Sequence, residues 1–266
     1  MNLTEWIGEY GENEKPLDRE AVNGGFCGIL QKVACIGDSL SSGEFQSRDE
    51  NGDYHFHDMY EYSWGQFMAR MCGIKVYNFS KGGMTAKQYC ESFAEENDFW
   101  NKDKASKAYI IALGVNDVLN QHSEIGTLDD ICKEDYTKCK STFLGYYGKI
   151  ILRYKEIAPY AKFFIVTIPK HNKGLSEERN RLNDALRSLA DFFDRTYIID
   201  LQKYGPDYDE KFLDKFFLSG HMDASGYLLT AKMITSYIDY IIRHNREDFK
   251  QIGFVNTPYY NIDYKR

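Results

Sequence analysis

The sequence predicts an α/β protein, a three-layer α/β/α domain built on a five-stranded, mostly parallel sheet. Short β-branched or apolar runs alternate with longer segments of helical period, and no repeat, low-complexity tract or Pro/Gly-rich linker divides the 266 residues. A content of 43% hydrophobic and 27% charged residues is ordinary for a globular chain and excludes a disordered, collagenous or coiled-coil protein. Strands separated by crossover-length helices bury a parallel sheet on both faces, and right-handed crossovers then leave few topologies.

The expected strands are Val33–Ile36, Lys75–Phe79, Ala108–Leu113, Phe163–Ile168 and Thr196–Ile199, each a short run rich in β-branched or aromatic residues. Between them, Tyr136, Cys139, Phe143, Tyr147, Ile150, Tyr154 and Ile157 recur at alternating steps of three and four, which predicts one buried helix face. Leu182, Leu186, Leu189 and Phe193 repeat the pattern, as do Tyr227, Ala231, Ile234, Ile238 and Ile241. Residues 1–30 read as an N-terminal extension packed on the domain, 31–245 as the domain itself, and 246–266 as a C-terminal tail.

Bulk numbers narrow the partners. Lys plus Arg total 33 against 40 Asp plus Glu, a net charge of −7 with the basic residues scattered, so no nucleic acid is expected. No stretch approaches the roughly 18 apolar residues of a membrane span, and no membrane partner is expected. The start Met1-Asn2-Leu3-Thr4-Glu5-Trp6 lacks a basic leader followed by an apolar segment. The six cysteines form no C-x-x-C pair, and in a chain of this size they read as reduced, buried thiols. A cytoplasmic protein is expected. The segment His55-Phe56-His57-Asp58 lacks the complementary spacing of a metal site and reads as a surface loop; neither metal nor cofactor is expected.

Ligands of an open parallel sheet bind beyond the carboxyl ends of its strands. After the first strand comes Gly37-Asp38-Ser39-Leu40-Ser41-Ser42-Gly43, where a sharp turn would present a hydroxyl at the sheet edge, a setting for a nucleophile. After the second comes Ser80-Lys81-Gly82-Gly83-Met84-Thr85, whose glycines could bring a backbone N–H to a ligand oxygen. After the third comes Gly114-Val115-Asn116-Asp117, an amide near the same edge. Each is also ordinary turn or cap composition; together, in order, at successive strand ends, they are a candidate site.

These blocks, with a late His221 ahead of the last helix, resemble the SGNH hydrolase superfamily, also called the GDSL esterase/lipase family, over about Val33 to Ile242. The resemblance implies a flavodoxin-like fold and serine-dependent hydrolysis of a carboxylic ester through an acyl-enzyme. Ser39 would be the nucleophile and His221 the general base. The backbone N–H groups of Ser39 and Gly83 and the side-chain amide of Asn116 would form the oxyanion hole, with Asp38 and Asp117 bracing the turns.

One departure concerns the acid. The family places an aspartate three residues before the histidine, but Phe217-Leu218-Ser219-Gly220-His221 puts Leu218 there. A backbone carbonyl could orient His221 in a Ser-His dyad, or a displaced acid could, with Asp214 the nearest upstream candidate and Asp223 better placed to cap the following helix. A degenerate site that binds without turnover is the third reading. Loss of the acid costs less than loss of nucleophile or base.

The expected substrate is a small-molecule ester or an acetylated carbohydrate with a short acyl group. An acyl thioesterase, and a pseudo-hydrolase that binds a carbohydrate or acyl ligand, are the alternatives. Aromatic residues make up 15% of the chain. Those of the polar insertion after Ser41, including Phe45, Tyr54 and Tyr60, are candidates for pocket walls, although an aromatic cluster is more often packing. Lys170, His171 and Asn172, after the fourth strand, are further candidates for the substrate side.

Overall fold

A computed structural model describes residues 11, 13–171 and 176–264. Five parallel strands form the central sheet: β1 (Lys32–Gly37), β4 (Lys75–Ser80), β5 (Ala108–Ala112), β6 (Lys162–Val166) and β7 (Thr196–Ile199), in the order β4-β1-β5-β6-β7. Two small antiparallel pairs stand outside it, β2 (Glu44–Arg48) with β3 (Tyr54–Asp58), and β8 (Phe217–Leu218) with β9 (His221–Met222). The main helices are α1 (Trp64–Cys72), α2 (Phe143–Ile157), α3 (Ser176–Phe192), α4 (Glu210–Phe216) and α5 (Ala224–His244).

Strand order fixes the layers. The chain steps from β1 outward to β4, then returns past β1 to β5, β6 and β7. Right-handed crossovers therefore put α1 on one face, and the helical segment 86–96, α2 and α3 on the other. Helix α5 joins α1. Because both faces are covered, β5 and β6 are almost wholly buried, as continuous apolar runs of a parallel sheet require.

The aromatic excess mostly fills this core. Tyr89, Tyr109, Tyr147, Tyr154 and Tyr227 are fully buried. Their hydroxyls find partners inside: Tyr89 and Tyr154 meet at 2.6 Å, and Tyr147 donates to the Ile111 carbonyl at 3.1 Å. A buried phenol is tolerated on that condition.

Two elements differ from the sequence reading. The helix expected from Tyr136 begins at Phe143, because the Thr142 side chain accepts from Gly145 N at 3.2 Å and caps it there. Tyr136–Lys138 is a separate turn capped by Asp135. The insertion read as a loop is the β2–β3 hairpin, so His55-Phe56-His57-Asp58 lies in a strand. The turn residues Asn51-Gly52, Gly52 having φ of 85°, are a hairpin signal. At the chain ends, Val22–Leu30 packs against α1 and α5, and Tyr260 stacks on Tyr160 at 3.8 Å; residues 1–10 lie outside the described part.

Candidate active site

Three turns at the carboxyl edge of β1, β4 and β5 build the floor of the site. After β1, the Asp38 carboxylate accepts from Leu40 N at 3.1 Å and caps one helical turn, Ser39–Ser42. A side chain at Gly37 would meet Ser41 Oγ at 2.2 Å, so glycine there is what lets the turn fold back on its strand. Ser39 begins this turn, half-buried at the sheet edge.

After β4, Gly83 has φ of 70°, with nothing within 4 Å of where a side chain would stand. The left-handed backbone turns the loop sharply, and glycine adopts it without cost. Thr85 caps the helical segment that follows. After β5, the Asn116 side chain lies against the same loop, donating from Nδ2 to the Met84 carbonyl at 3.2 Å and accepting from Asn120 Nδ2 at 2.8 Å. Ser39, Gly83 and Asn116 thus sit on three adjacent strand ends.

The two neighbouring aspartates tie these turns together. Asp117 Oδ1 accepts from Ala86 N at 2.8 Å, joining the β5 turn to the helix behind Gly83. Its Oδ2 is buried without a partner, and burial raises the carboxyl to about 7. Burial likewise raises Asp38 to about 6. Both accept hydrogen bonds from backbone N–H groups, and Asp38 also borders the cavity behind the nucleophile turn.

His221 lies on β9, which packs against the Ser39–Ser42 turn and against β2. Leu218 pairs with it in the β8–β9 register and points outward, 47% exposed. Asp214, the displaced acid considered from the sequence, is exposed on α4, and among the described residues no hydrogen bond or ion pair joins it to His221. The carboxylate beside His221 is Glu44, with Oε1 3.2 Å from Nε2. The other ring nitrogen, Nδ1, is buried without a hydrogen-bond partner. Asp223 caps α5, accepting from Gly226 N at 2.8 Å.

Burial pushes the His221 imidazole below its usual value, and burial followed by the Asp58 charge pushes Glu44 up. Their mutual approach pulls each the other way. A neutral imidazole is the form that accepts a proton.

The hairpin grips the histidine loop at several points. Gln46 Oε1 accepts from Gly220 N at 2.7 Å, and Ser219 Oγ donates to Tyr54 Oη at 3.4 Å. The Phe56 ring meets the His221 ring edge-on at 5.6 Å while remaining 57% exposed.

Of the aromatics expected as pocket walls, Phe45 is half-buried and packs against Tyr62 and Tyr227. Tyr60 accepts from Gln66 Nε2 at 2.5 Å. Tyr54 and Phe56 meet the histidine loop. His171 pairs with Tyr208 as an isolated bridge at the end of the β6 turn; Asn172 lies outside the described residues. His55 and His57 engage Asp49 and Ser47, and among the described residues no three His, Cys, Asp or Glu side chains cluster to hold a metal ion. Behind the nucleophile turn lies an apolar cavity of about 100 Å³, lined in part by Leu40, Leu113, Val115, Ile168 and Met222.

Sequence reasoning gave Glu44 and Gln46 no role, and placed Phe56 only among the aromatics of the insertion. The hairpin that carries them was signalled by Asn51-Gly52, but nothing local marks which strand reaches His221.

Comparison with known proteins agrees with this fold. The family model described as GDSL-like Lipase/Acylhydrolase matches residues 33–234. No curated protein matches the sequence. Among solved structures, a family two carbohydrate esterase from Clostridium thermocellum in complex with cellohexaose is similar at 16% identity and a TM-score of 0.56, covering 86% of this chain and 66% of that one. Est24, a carbohydrate acetylesterase from Sinorhizobium meliloti, is similar at 16% identity and a TM-score of 0.54, covering 79% and 99%. A carbohydrate esterase family 2 enzyme from Corynascus thermopiles, with a carbohydrate binding domain, gives 13% identity and a TM-score of 0.56 over 80% and 66%. At such identities the likeness establishes the shared fold.

Proposed function

This chain belongs to the GDSL-like lipase/acylhydrolase family and is a carboxylic-ester hydrolase, and we propose that it works through Ser39 and His221 on an acetylated carbohydrate or a similar short-acyl ester. The observation that carries the residue assignment is the convergence of Ser39, Gly83 and Asn116 on adjacent strand ends, with the His221 strand packed against the Ser39 turn.

In this mechanism Ser39 Oγ attacks the ester carbonyl as His221 takes its proton, and His221 returns that proton to the departing alcohol. Negative charge develops on the carbonyl oxygen. The N–H groups of Ser39 and Gly83 and the amide of Asn116 are the donors that would receive it, each worth on the order of 3 kcal/mol in the transition state. Asn116 can serve because its NH₂ has two hydrogens and the Met84 carbonyl uses one. Water then attacks the acyl-enzyme by the same route.

Two observations support a sugar ester. The carbohydrate esterases named above share the fold, and the exposed ring of Phe56 stands beside His221, with Tyr54 46% exposed on the same strand. Flat aromatic faces suit the C–H faces of sugar rings. The six free thiols are consistent with our placing the protein in a reducing compartment, the cytoplasm; among the described residues no helix is long and apolar enough to cross a membrane.

Purified protein should release p-nitrophenol from p-nitrophenyl acetate, and Ser39→Ala should abolish both that release and labelling by a fluorophosphonate. Equal rates for the two proteins would sink the assignment. Comparing acetylated sugars with acyl-CoA substrates tests the leaving group.

A further inference from the structure

The position three before His221 holds an exposed leucine, yet the histidine is not left to itself. Glu44 Oε1 lies 3.2 Å from Nε2, and both side chains are largely buried. The glutamate is anchored from behind. Its carbonyl accepts the Tyr227 hydroxyl at 2.5 Å, and the next residue, Phe45, packs between Tyr62 and Tyr227. In front, its Oε2 presses against Gly82, where an added Cβ would stand 2.1 Å away. A carboxylate whose backbone is anchored in this way has less freedom to lose when it holds a ring.

We propose that Glu44, carried by the β2–β3 hairpin, supplies the carboxylate that the histidine loop lacks, and that it does so at Nε2, leaving Nδ1 as the basic nitrogen. This rests on Ser39 and His221 being nucleophile and base. With Nε2–H donated to Glu44, a neutral ring keeps its lone pair on Nδ1, the buried atom without a partner in the resting protein. A buried polar atom left unpaired is costly, and a base awaiting a substrate-bound serine accounts for it, since such hydrogen bonds tighten only in the reacting complex. As Ser39 Oγ bonds to the acyl carbon, its proton passes to Nδ1 and Glu44 stabilises the imidazolium. As the C–O bond breaks, Nδ1–H returns the proton to the leaving oxygen. Glu44 acts through His221 and is a positioning residue.

The hairpin as a whole fits this role. Gln46 holds Gly220, Tyr54 meets Ser219 and Phe56 abuts the ring itself, so one strand pair sets the loop and the imidazole together. It begins directly after the nucleophile turn, which couples the placement of nucleophile and base.

Gly82 offers a test that leaves the carboxylate in the protein. The three atoms nearest an added Cβ there all belong to Glu44, and Gly82 has no left-handed backbone to strain. Gly82→Ala should therefore act only by displacing Glu44. With p-nitrophenyl acetate, Glu44→Ala is expected to lose about 100-fold or more in kcat, and Glu44→Asp to recover part of it. Gly82→Ala should lower kcat in the native background and change nothing further in Glu44→Ala, a coupling that a double-mutant cycle reads directly. Independently of turnover, ¹⁵N NMR of the resting protein should show a slowly exchanging His221 proton on Nε2 that vanishes in Glu44→Ala. Unchanged or increased kcat in Glu44→Ala, additive effects of the two substitutions, or a protected proton on Nδ1 would each overturn the proposal. Activity surviving in Ser39→Ala would instead remove the reading beneath it, while the NMR signal still reports on the Glu44–His221 contact.

Discussion

Replacing Asp117 by asparagine should change how the protein's stability depends on pH, and the size of the change follows from where the carboxyl sits. Asp117 is only 2% exposed, its Oδ1 accepts from Ala86 N, and its Oδ2 has no partner. Burial raises its carboxyl from 3.8 to about 7. A group whose pKa is higher folded than unfolded binds its proton more tightly in the folded state, so its contribution is complete below the unfolded value and is lost as pH rises through the folded one. At about 1.4 kcal/mol per tenfold change, the interval from 3.8 to about 7 amounts to about 4 kcal/mol. Asparagine keeps an oxygen for Ala86 N and cannot ionise. Urea unfolding followed by tryptophan fluorescence, at about pH 4 and about pH 8, should therefore show Asp117→Asn gaining on the native protein by up to about 4 kcal/mol across that interval. Asp38 is present in both proteins and its own titration largely cancels in the difference. A stability difference that stays constant with pH would refute the reasoning, because it would mean that Asp117 is ionised throughout despite its burial.

Asn116→Ala should lower kcat for p-nitrophenyl acetate by about 10²- to 10³-fold with a much smaller change in KM; a loss confined to KM would remove it from the oxyanion hole. Because burial depresses the His221 imidazole and only the neutral ring accepts a proton, the acidic limb of the kcat/KM profile should lie below the ordinary histidine value of about 6.5; a limb at or above it contradicts the assignment. Phe56→Ala should raise KM for acetylated sugars and leave p-nitrophenyl acetate nearly unaffected, and an equal effect on both would confine Phe56 to supporting the His221 ring.

The legible part of this protein was what local sequence encodes. Strand positions followed from apolar runs that need both faces covered, and the strand-end motifs at Ser39, Gly83 and Asn116 followed from turn chemistry. Even the misplaced start of α2 is local: the apolar period ran through Tyr136 and Cys139 unbroken, and only the Thr142 cap stops the helix.

What the sequence by itself determined is therefore the layered fold, the places of its strands along the chain and the three turns at their ends, because periodicity and turn residues act over a few neighbours. Only the tertiary structure decided what faces His221. Asp214 is close in the chain but is exposed on α4, whereas Glu44 and Phe56 are remote in the chain and arrive because a hairpin folds back across the sheet edge. The same holds for Asp117, whose carboxyl is raised by burial that outweighs the hydrogen bond from Ala86 N. Electrostatics and proton affinity follow distance and desolvation in space, and neither is written in the spacing of residues along the chain.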